Sequence, residues 1–405
     1  MKKFNKNIIV FVLVFLFIGF GFSPTLYSAL RYCVIDLLVN NLPAQGTDAF
    51  HQFTSDVDNQ SKKLLYSDVL LDLDSLKQRY LNTKLVQKGV ETVVKTTDNA
   101  LIVPYSHYPQ DDLEAEASII QSLQHAAEEN GADFLYIAAP EKNMAYDVPA
   151  NIENHSIDNF HRYMEALKQR DVPVLDLYNT LQQENMINID TFFKTDHHWK
   201  PETAFWATGE ICQALSDQYG FQYNKNYTNI ENYNTQVYSD WFLGSYGKKV
   251  GLFFTSEGPD DITLITPKFE THLTEQLPLK EEERTGSFEQ SVLHMDQIET
   301  KNYHGLSSYA AYGGGDFRLQ IMKNNLNPEG KKILLIRDSF AGTVAPFLAL
   351  NAGELHIIDV RTFIPDEAIN VYEYLQQINP DYVLVLYSGT GNPENNFDRY
   401  NFGNP

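Results

Sequence analysis

One short segment constrains the fold more than any other. Residues 331–336 end in the run Ile-Leu-Leu-Ile, and an apolar stretch without alternation is typical of a strand buried on both faces of a parallel sheet. Arg337, Asp338 and Ser339 follow directly, and the sequence from Phe340 onward indicates a turn into a helix. Ser339 is therefore predicted at the carboxyl end of a strand, the edge of an open α/β sheet where ligands bind.

Strand and helix patterns alternate on both sides of this segment, which predicts an α/β fold with a mainly parallel sheet. The predicted strands cover residues 101–104, 134–138, 172–177, 331–336, 355–360 and 382–387, and the predicted helices cover 67–82, 111–130, 158–170, 201–219 and 366–377. The charged tract 280–284 is predicted to be an exposed turn.

The chain of 405 residues is long enough for a large core. We predict a membrane segment at 1–30, a stalk or extension at 31–95, a catalytic domain at 96–390 and a tail at 391–405. Within the domain, residues 222–300 break the strand–helix rhythm. This region begins with a segment rich in Asn and Tyr and continues with a Thr-rich run, which predicts an insertion of strands and loops beside a substrate groove.

The N-terminus has the pattern of an export signal. Lys2, Lys3 and Lys6 precede an apolar core at 8–22, which fits a cleaved secretory signal or an uncleaved anchor. The favoured interpretation is an anchor: a single-pass membrane protein with its N-terminal lysines inside and its catalytic domain outside the cell. Cleavage would give a secreted protein.

The net charge of −22 argues against a nucleic-acid partner, because nucleic-acid binding requires a basic surface. The charge does not identify a substrate, since an acidic, solvated surface also keeps a protein soluble.

The segment Thr195-Asp196-His197-His198-Trp199 adds the residues that a serine nucleophile needs. If the backbone is extended, Asp196 and His198 point to one face and His197 to the other, so the carboxylate can orient the imidazole. Two alternatives remain open for this segment, a metal site and a structural polar cluster. For Asp338 and Ser339 the alternative is a helix cap.

These motifs resemble those of the DHHW proteins, which are related to the alginate O-acetyltransferase-like branch of the SGNH hydrolase superfamily. Asp196-x-His198-Trp199 is similar to the D-x-H-W motif of that branch, and Asp338-Ser339 to its later nucleophile motif. Segments 139–143 and 241–247 extend the resemblance. It implies a three-layer SGNH-like fold in which the acid–base motif precedes the nucleophile, a permuted order.

The resemblance also implies a catalytic triad of Ser339, His198 and Asp196, with His197 as the fallback base. Arg337 departs from the pattern because it stands where Gly is usual, and it is predicted to shape the oxyanion pocket or bind an anionic substrate group.

Two further residues are predicted near the site. Gly315, in the run 313–315, is a candidate oxyanion donor, although a simple turn explains the glycines equally well. Trp199 is a candidate for stacking on substrate, with packing beneath His198 as the alternative.

The activity that the resemblance implies is O-acetyl transfer to, or ester hydrolysis on, a cell-surface polysaccharide, with no cofactor or metal. It further implies a multi-pass membrane acyltransferase as the partner that supplies the acyl group. The alternatives are a catalytically inactive protein that binds glycan or an assembly partner, and a metal-dependent hydrolase.

Overall fold

The computed structural model describes residues 67–404 except 90, 150, 189, 362–363, 365 and 390–399. The predicted membrane segment, most of the predicted extension and most of the predicted tail lie outside the described residues. No described helix is long and apolar enough to cross a bilayer. The described residues from 77 onward belong to one compact unit.

The described α-helices are α1 (Ser67–Tyr80), α2 (Gln110–Glu129), α3 (Ser156–Lys168), α4 (Leu177–Gln183), α5 (Pro201–Tyr219), α6 (Ser245–Val250), α7 (Phe288–Ser291), α8 (Ala341–Ala349) and α9 (Val371–Ile378). The strands are β1 (Leu85–Lys88), β2 (Glu91–Lys95), β3 (Leu101–Ile102), β4 (Asp133–Ala139), β5 (Val174–Asp176), β6 (Tyr233–Phe242), β7 (Asp260–Pro267), β8 (Leu273–Leu277), β9 (Glu282–Gly286), β10 (Leu319–Asn324), β11 (Lys332–Arg337), β12 (Glu354–Ile358) and β13 (Tyr382–Ser388).

The central sheet has eight strands in the order β5-β4-β13-β11-β12-β10-β8-β9. Pairings from β5 to β12 are parallel, whereas β10, β8 and β9 join antiparallel. Strands β1, β2 and β3 form a separate small antiparallel sheet, and β6 pairs with β7 as a two-stranded ribbon. The sheet is therefore mixed, with its parallel half around β11.

Strand β11 shows why the apolar run lacks alternation. Ile333 and Leu335 face one core cluster together with residues of α5 and α8, while Leu334 and Ile336 face the other with residues of α2, α3 and α9. Because side chains alternate across a strand, burial on both faces requires an apolar residue at every position. Helices on both faces of the sheet give the three-layer α/β architecture predicted from the sequence.

Helix α5 has the bounds predicted from its end signals. Lys200 is extended (φ −74°, ψ 158°), as a residue before proline should be, and Pro201 occupies the first turn, where its missing N–H costs no hydrogen bond. Gly220 ends the helix in the left-handed region at φ 74°, which favours glycine. The helix start fixes the chain immediately after His198.

Two predicted elements differ in the structure. The strand predicted at 101–104 is present as Leu101–Ile102, but it pairs with β2 in the small sheet and not with the central sheet. The charged tract 280–284 is not simply a turn, because Glu282–Gly286 is the edge strand β9. Its exposed charges suit an edge strand, since they discourage pairing with other chains, but they conceal the strand from a hydrophobicity pattern.

Candidate active site

Ser339 lies between β11 and α8 in a turn that Asp338 holds in place. The Asp338 N–H donates to the carbonyl of Leu386, 3.2 Å away. Its carboxylate accepts hydrogen bonds from the Phe340 N–H at 2.9 Å and from the N–H and hydroxyl of Ser388 at 2.7 and 2.8 Å. These bonds fix the backbone from which Ser339 projects. The alternative prediction of a helix cap is wrong, because the N-cap of α8 is Phe340 and no side chain caps it.

Ser339, His198 and Asp196 form one hydrogen-bonded chain. Ser339 Oγ lies 2.7 Å from His198 Nε2, and His198 Nδ1 lies 2.5 Å from Asp196 Oδ1. Asp196 and His198 are buried, and Ser339 is half-buried. With the imidazole proton on Nδ1, facing the carboxylate, Nε2 is free to accept the serine proton. This arrangement can activate a serine for attack on an ester or acyl carbon.

The Asp196 carboxylate is held on both oxygens. Oδ1 accepts from the His198 N–H at 2.9 Å as well as from its ring, and Oδ2 accepts from the Ser245 N–H at 2.6 Å. Burial alone would raise the pKa of Asp196, but the charges of His198 and His197 and the hydrogen bonds from His198 and Ser245 outweigh burial and hold the pKa well below its usual value. The carboxylate therefore stays ionised while it orients the ring.

Gly244 lies in close contact with Asp196. A Cβ built on Gly244 would lie 2.2 Å from the Asp196 Cβ, so no larger residue fits without displacing one of the two backbones. The Ser245 N–H reaches the carboxylate because this approach is so close. The Gly-Ser pair thus positions the acid from a second, distant part of the chain.

Two buried charged side chains fix the backbone that carries Asp196. The Lys142 ammonium donates to the carbonyls of Lys194 at 2.7 Å and Asp196 at 3.0 Å. The Asp260 carboxylate accepts from the N–H groups of Lys194 at 2.6 Å and Thr195 at 2.8 Å. Burial lowers the pKa of Lys142 to about 7, although Asp260 and Asp196 oppose the shift. Burial also raises the pKa of Asp260.

His197 does not point away from His198. The segment 195–198 is a series of bends rather than an extended strand, so the extended-backbone prediction for His197 is wrong. The two rings lie 3.8 Å apart between centroids, and His197 Nδ1 lies 2.9 Å from the Ser245 hydroxyl. Burial and the nearby charge of His198 lower the pKa of His197. His198 is the histidine that contacts Ser339, as the two-apart spacing predicts.

Trp199 is fully buried, so the predicted stacking on substrate is not supported. Its indole N–H donates to the Phe340 carbonyl at 3.1 Å, which ties the histidine segment to the serine turn. The ring that stacks on His198 is that of Tyr309. The two rings are nearly parallel, with 14° between their planes and 4.1 Å between their centroids. Sequence reasoning missed Tyr309, because nothing local marks one tyrosine among 24.

Arg337 lies in a buried ion-pair network rather than in an open anion site. Its guanidinium donates to Asp316 at 2.5 Å and to the Gly315 carbonyl at 2.7 Å, and lies 3.7 Å from Asp359. Arg361 pairs with both carboxylates. Burial would raise the pKa of Asp316, but Arg337 and Arg361 lower it to about 2. With its side chain only 2% exposed, Arg337 is not placed to bind an anionic group of a substrate. Its role in shaping the oxyanion pocket, through the Gly315 carbonyl, stays a prediction.

Two backbone N–H groups near the triad are candidates for the oxyanion hole. The Ser339 N–H makes no hydrogen bond to a described residue, so it is available to a developing oxyanion. Gly315 lies in a loop with φ 121° and its carbonyl is tied to Arg337. Its N–H likewise has no backbone acceptor among the described residues. Gly315 as an oxyanion donor stays a prediction.

A small cavity of about 30 Å³ lies beside the triad, lined in part by His197, Phe340, Tyr246 and Ser388. Its remaining wall includes Lys142, so the segment at 139–143 borders this cavity as well as supporting Asp196. The cavity is of the size of one or two water molecules and could take a small substituent only.

The metal alternative can be examined at the same residues. Asp196, His197 and His198 each offer a ligand atom, and these atoms lie within 4.8 Å of one another. His198, however, uses Nδ1 on Asp196 and Nε2 on Ser339, and His197 uses Nδ1 on Ser245. A metal would have to displace these contacts, so the described geometry suits proton transfer better than metal ligation.

Residues 103–238 match the family model of the SGNH hydrolase-like domain, acetyltransferase AlgX. This segment of the chain is therefore similar to an SGNH hydrolase-like domain. The matched segment includes Asp196 and His198 and ends before Ser339. The predicted resemblance to this family is therefore confirmed over the segment that carries the Asp196-x-His198 motif.

A curated relative of this chain is described as a probable alginate O-acetylase AlgJ from Pseudomonas fluorescens. The two chains are 24% identical over 148 residues, which is 34% of this chain and 37% of the relative. The match therefore spans well under half the length of either protein.

Solved structures share the fold. Bacillus cereus PatB1 is 21% identical with a TM-score of 0.63, over 77% of this chain and 100% of that chain. A second structure of PatB1, with a sulfonyl adduct, is 22% identical with a TM-score of 0.61 over the same shares. A DHHW family protein from Eubacterium siraeum is 18% identical with a TM-score of 0.58, over 78% of this chain and 97% of that chain.

Proposed function

We propose that this SGNH hydrolase-like protein is a serine O-acyltransferase of the cell surface that acts on acetyl groups of a polysaccharide. The observation that carries the proposal is the unbroken hydrogen-bonded chain from Ser339 through His198 to Asp196. The acetyltransferase family match and the alginate O-acetylase relative support acetyl as the group and polysaccharide as the acceptor.

In the first half-reaction, Ser339 Oγ attacks the carbonyl carbon of an acyl donor while His198 Nε2 takes the hydroxyl proton. The negative charge that develops on the carbonyl oxygen is stabilised by the Ser339 N–H, with Gly315 as the candidate for a second donor. The tetrahedral intermediate collapses when the donor's oxygen leaves with the proton from His198. The product is an acyl-serine, and Asp196 balances the imidazolium charge in between.

In the second half-reaction, His198 takes the proton of a sugar hydroxyl as that oxygen attacks the acyl carbon. Breakdown of the second intermediate returns the proton to Ser339 Oγ and releases the acetylated sugar. If water replaces the sugar, the same steps give an esterase. Which acceptor reacts depends on how well the bound glycan excludes water.

The proposal includes a location and a donor. The apolar N-terminal segment supports an extracellular domain anchored in the membrane. An acyl donor that depends on coenzyme A stays in the cytoplasm, so a multi-pass membrane acyltransferase is the proposed partner that carries the acyl group across the bilayer. The protein itself needs no cofactor for the chemistry of the triad.

The first test measures hydrolysis of a short chromogenic acetyl ester by the purified full-length protein, Ser339→Ala, His198→Ala and the control Ser287→Ala. Ser287 caps α7 and has no contact with the triad. We expect activity in wild type and the control, with or without chelator, and loss in both triad variants. Activity that disappears with chelator but persists in Ser339→Ala would support the metal-dependent alternative.

A second arm decides between enzyme and binding protein. A serine-reactive phosphonate or sulfonyl probe should label wild type at Ser339, and His198→Ala should reduce the labelling. Absence of both labelling and ester hydrolysis would overturn the proposal in favour of a catalytically inactive glycan-binding protein. Active enzyme would then be offered acetyl donor and oligosaccharide acceptors together to separate transfer from hydrolysis.

A further inference from the structure

A second concave site lies away from the triad, in a part of the protein that the proposed chemistry does not use. It is an open cleft of about 270 Å³ between the start of the 222–300 region and the ends of β10 and α8. Residues 222–227 form one side, 269–271 another, and 324–327 with 350–351 complete it. These segments come from four separate places in the sequence, so the cleft exists only in the folded chain.

The cleft is lined by side chains that carry hydrogen-bonding groups without charge. Its amide side chains are Gln222, Asn224, Asn324, Asn327 and Asn351, and Glu270 is its only charged side chain. Each amide has two N–H donors and an acceptor. The protein itself uses part of this capacity, since Asn324 and Gln222 donate to backbone carbonyls and Asn224 accepts from a backbone N–H. A ligand with neutral hydroxyl groups matches the donors and acceptors that are left, whereas a phosphate would meet no cation among the lining residues.

The cleft also presents aromatic rings. Tyr227 and Phe269 stack at 4.4 Å between centroids and 16° between planes, and both are only partly buried. The Tyr227 backbone is held by the Tyr233 hydroxyl, which donates to its carbonyl at 2.7 Å. The rings therefore form a fixed, partly apolar surface beside the amides, and the C–H face of a pyranose packs well on such a surface.

Asn351 supplies an independent sign of a ligand. It is 5% exposed, and its Oδ1 accepts a hydrogen bond from the Asn224 N–H at 3.1 Å. Its Nδ2 is buried at the cleft and has no hydrogen-bond partner among the described residues. Buried amide donors are nearly always satisfied, so an unpaired one at the wall of a cleft indicates a group that binds there.

We propose that this cleft binds a neutral sugar residue of a glycan. Asn351 Nδ2 and neighbouring amides would hydrogen-bond the ring hydroxyls, and the Tyr227–Phe269 pair would pack against the apolar face of the sugar. The combination of amides, stacked aromatic rings and a single carboxylate favours a neutral hexose or N-acetylhexosamine over a uronic acid.

The cleft and Ser339 lie at opposite ends of the parallel strands of the central sheet. Asn351 precedes β12 and Asn324 ends the antiparallel β10, so both lie near the amino ends of the parallel strands. Ser339 follows the carboxyl end of β11. The two ends of the six-residue strand β11 are about 20 Å apart. The cleft is thus a second glycan contact that would hold a polymer while a remote unit is acylated.

The test measures sugar binding by the full-length Ser339→Ala protein, so that no probe can be modified. The probes are the methyl glycosides of glucose, galactose, mannose and N-acetylglucosamine, and their β-linked disaccharides. Binding is measured by saturation-transfer NMR with each probe at millimolar concentration. We expect saturable binding of at least one probe. If none binds, the proposal is overturned.

Variants locate the binding. Asn351→Asp removes the Nδ2 donor and keeps the acceptor for Asn224, and Tyr227→Leu removes the aromatic face and keeps apolar bulk. Each should weaken binding about tenfold. Gln222 is exposed, so Gln222→Ala should weaken sugar binding several-fold with no effect on folding. This variant tests the cleft even if Asn351→Asp does not fold. Tyr80→Leu, an exposed tyrosine outside the cleft, is the control.

Two readouts separate this proposal from the proposed activity. Unchanged affinity in Tyr227→Leu and Gln222→Ala would overturn the cleft as the binding site even if sugars bind elsewhere. Ester hydrolysis measured in the same substitutions on an otherwise wild-type chain should be unaffected. The cleft can therefore fail while the triad holds, and the triad can fail while the cleft binds sugar.

Discussion

Asp196 Oδ1 accepts both the ring proton and the backbone N–H of His198, at 2.5 and 2.9 Å. The two residues are separated by a single position, so the carboxylate and the imidazole are oriented by one bend of the chain rather than by distant packing. This local arrangement explains how a motif of four residues can carry the acid–base half of the site. Only the nucleophile must be brought in from elsewhere, 141 positions later.

Asp196→Asn should abolish most of the activity and leave the fold intact. The amide keeps the shape of the carboxylate, but it cannot hold the imidazole in the tautomer that accepts the serine proton, and it does not balance the imidazolium charge. We expect kcat for acetyl ester hydrolysis to fall by about 10³–10⁴. Asp111→Asn, an exposed acid in the first turn of α2, is the control. Loss of less than about tenfold would contradict the role of Asp196.

Gly244→Ala should reduce activity by displacing Asp196. The added methyl would lie 2.2 Å from the Asp196 Cβ and 2.5 Å from its Cα, and backbone atoms cannot move aside as a flexible side chain could. We expect a loss of about 1–3 kcal/mol in the free energy of unfolding together with a fall in kcat.

The matched control for that substitution is Gly209→Ala within α5. A Cβ there meets its nearest neighbour, Thr228 Cβ, at 3.6 Å, an ordinary contact. Because alanine favours a helix over glycine, this variant should be stabilised by up to about 1 kcal/mol with unchanged kcat. Equal effects of the two alanines on kcat would show that Gly244 has no special relation to Asp196.

The sequence predicted the parts of the fold and site that depend on local patterns. The unalternating run at 331–336 indicated a strand buried on both faces, and proline and glycine marked the ends of α5. The spacing of Asp196 and His198 and the position of Ser339 after a strand predicted the three side chains that the structure brings together.

The remaining contacts depend on tertiary structure that no local pattern encodes. Strand β10 has no counterpart among the predicted strands, and the strands predicted in 222–300 gave no sign that β8 joins the central sheet antiparallel. Lys142 and Ser245 support Asp196 from segments 54 and 49 positions away. Lys142 lies in segment 139–143 and Ser245 in segment 241–247, both of which resemble the family. The resemblance of these segments did not predict that either residue supports Asp196.

Lys142→Met should change how stability depends on pH. The pKa of Lys142 is about 7 in the folded protein, below the value of about 10.4 for an unfolded chain. Between these values the unfolded state binds more protons, so wild-type stability should rise with pH from about 7 to 10, by at most about 1.4 kcal/mol per unit. The Met variant lacks this rise. Urea denaturation at several pH values measures the difference.

Lys331→Met is the control for that experiment. The hydrogen bond and charge of Asp381 raise the pKa of the exposed Lys331, so its contribution to stability has the opposite sign and is lost as pH rises. If wild type and Lys142→Met show parallel stability curves across pH 7–10, Lys142 is not a buried lysine with a lowered pKa.

Arg337→Ala should destabilise the protein strongly, because it leaves Arg361 as the single cation that balances the carboxylates of Asp316 and Asp359. Arg337 contacts Asp316 at 2.5 Å and Asp359 at 3.7 Å, and Asp359 is fully buried. Removing one member of such a network costs about 3–5 kcal/mol in the free energy of unfolding, measured by urea denaturation. Lys323→Ala breaks the more exposed pair with Glu354 at 3.7 Å and should cost no more than about 1 kcal/mol. A similar, small cost for both variants would argue that Arg337 is not structural and would return it to the predicted role in binding substrate.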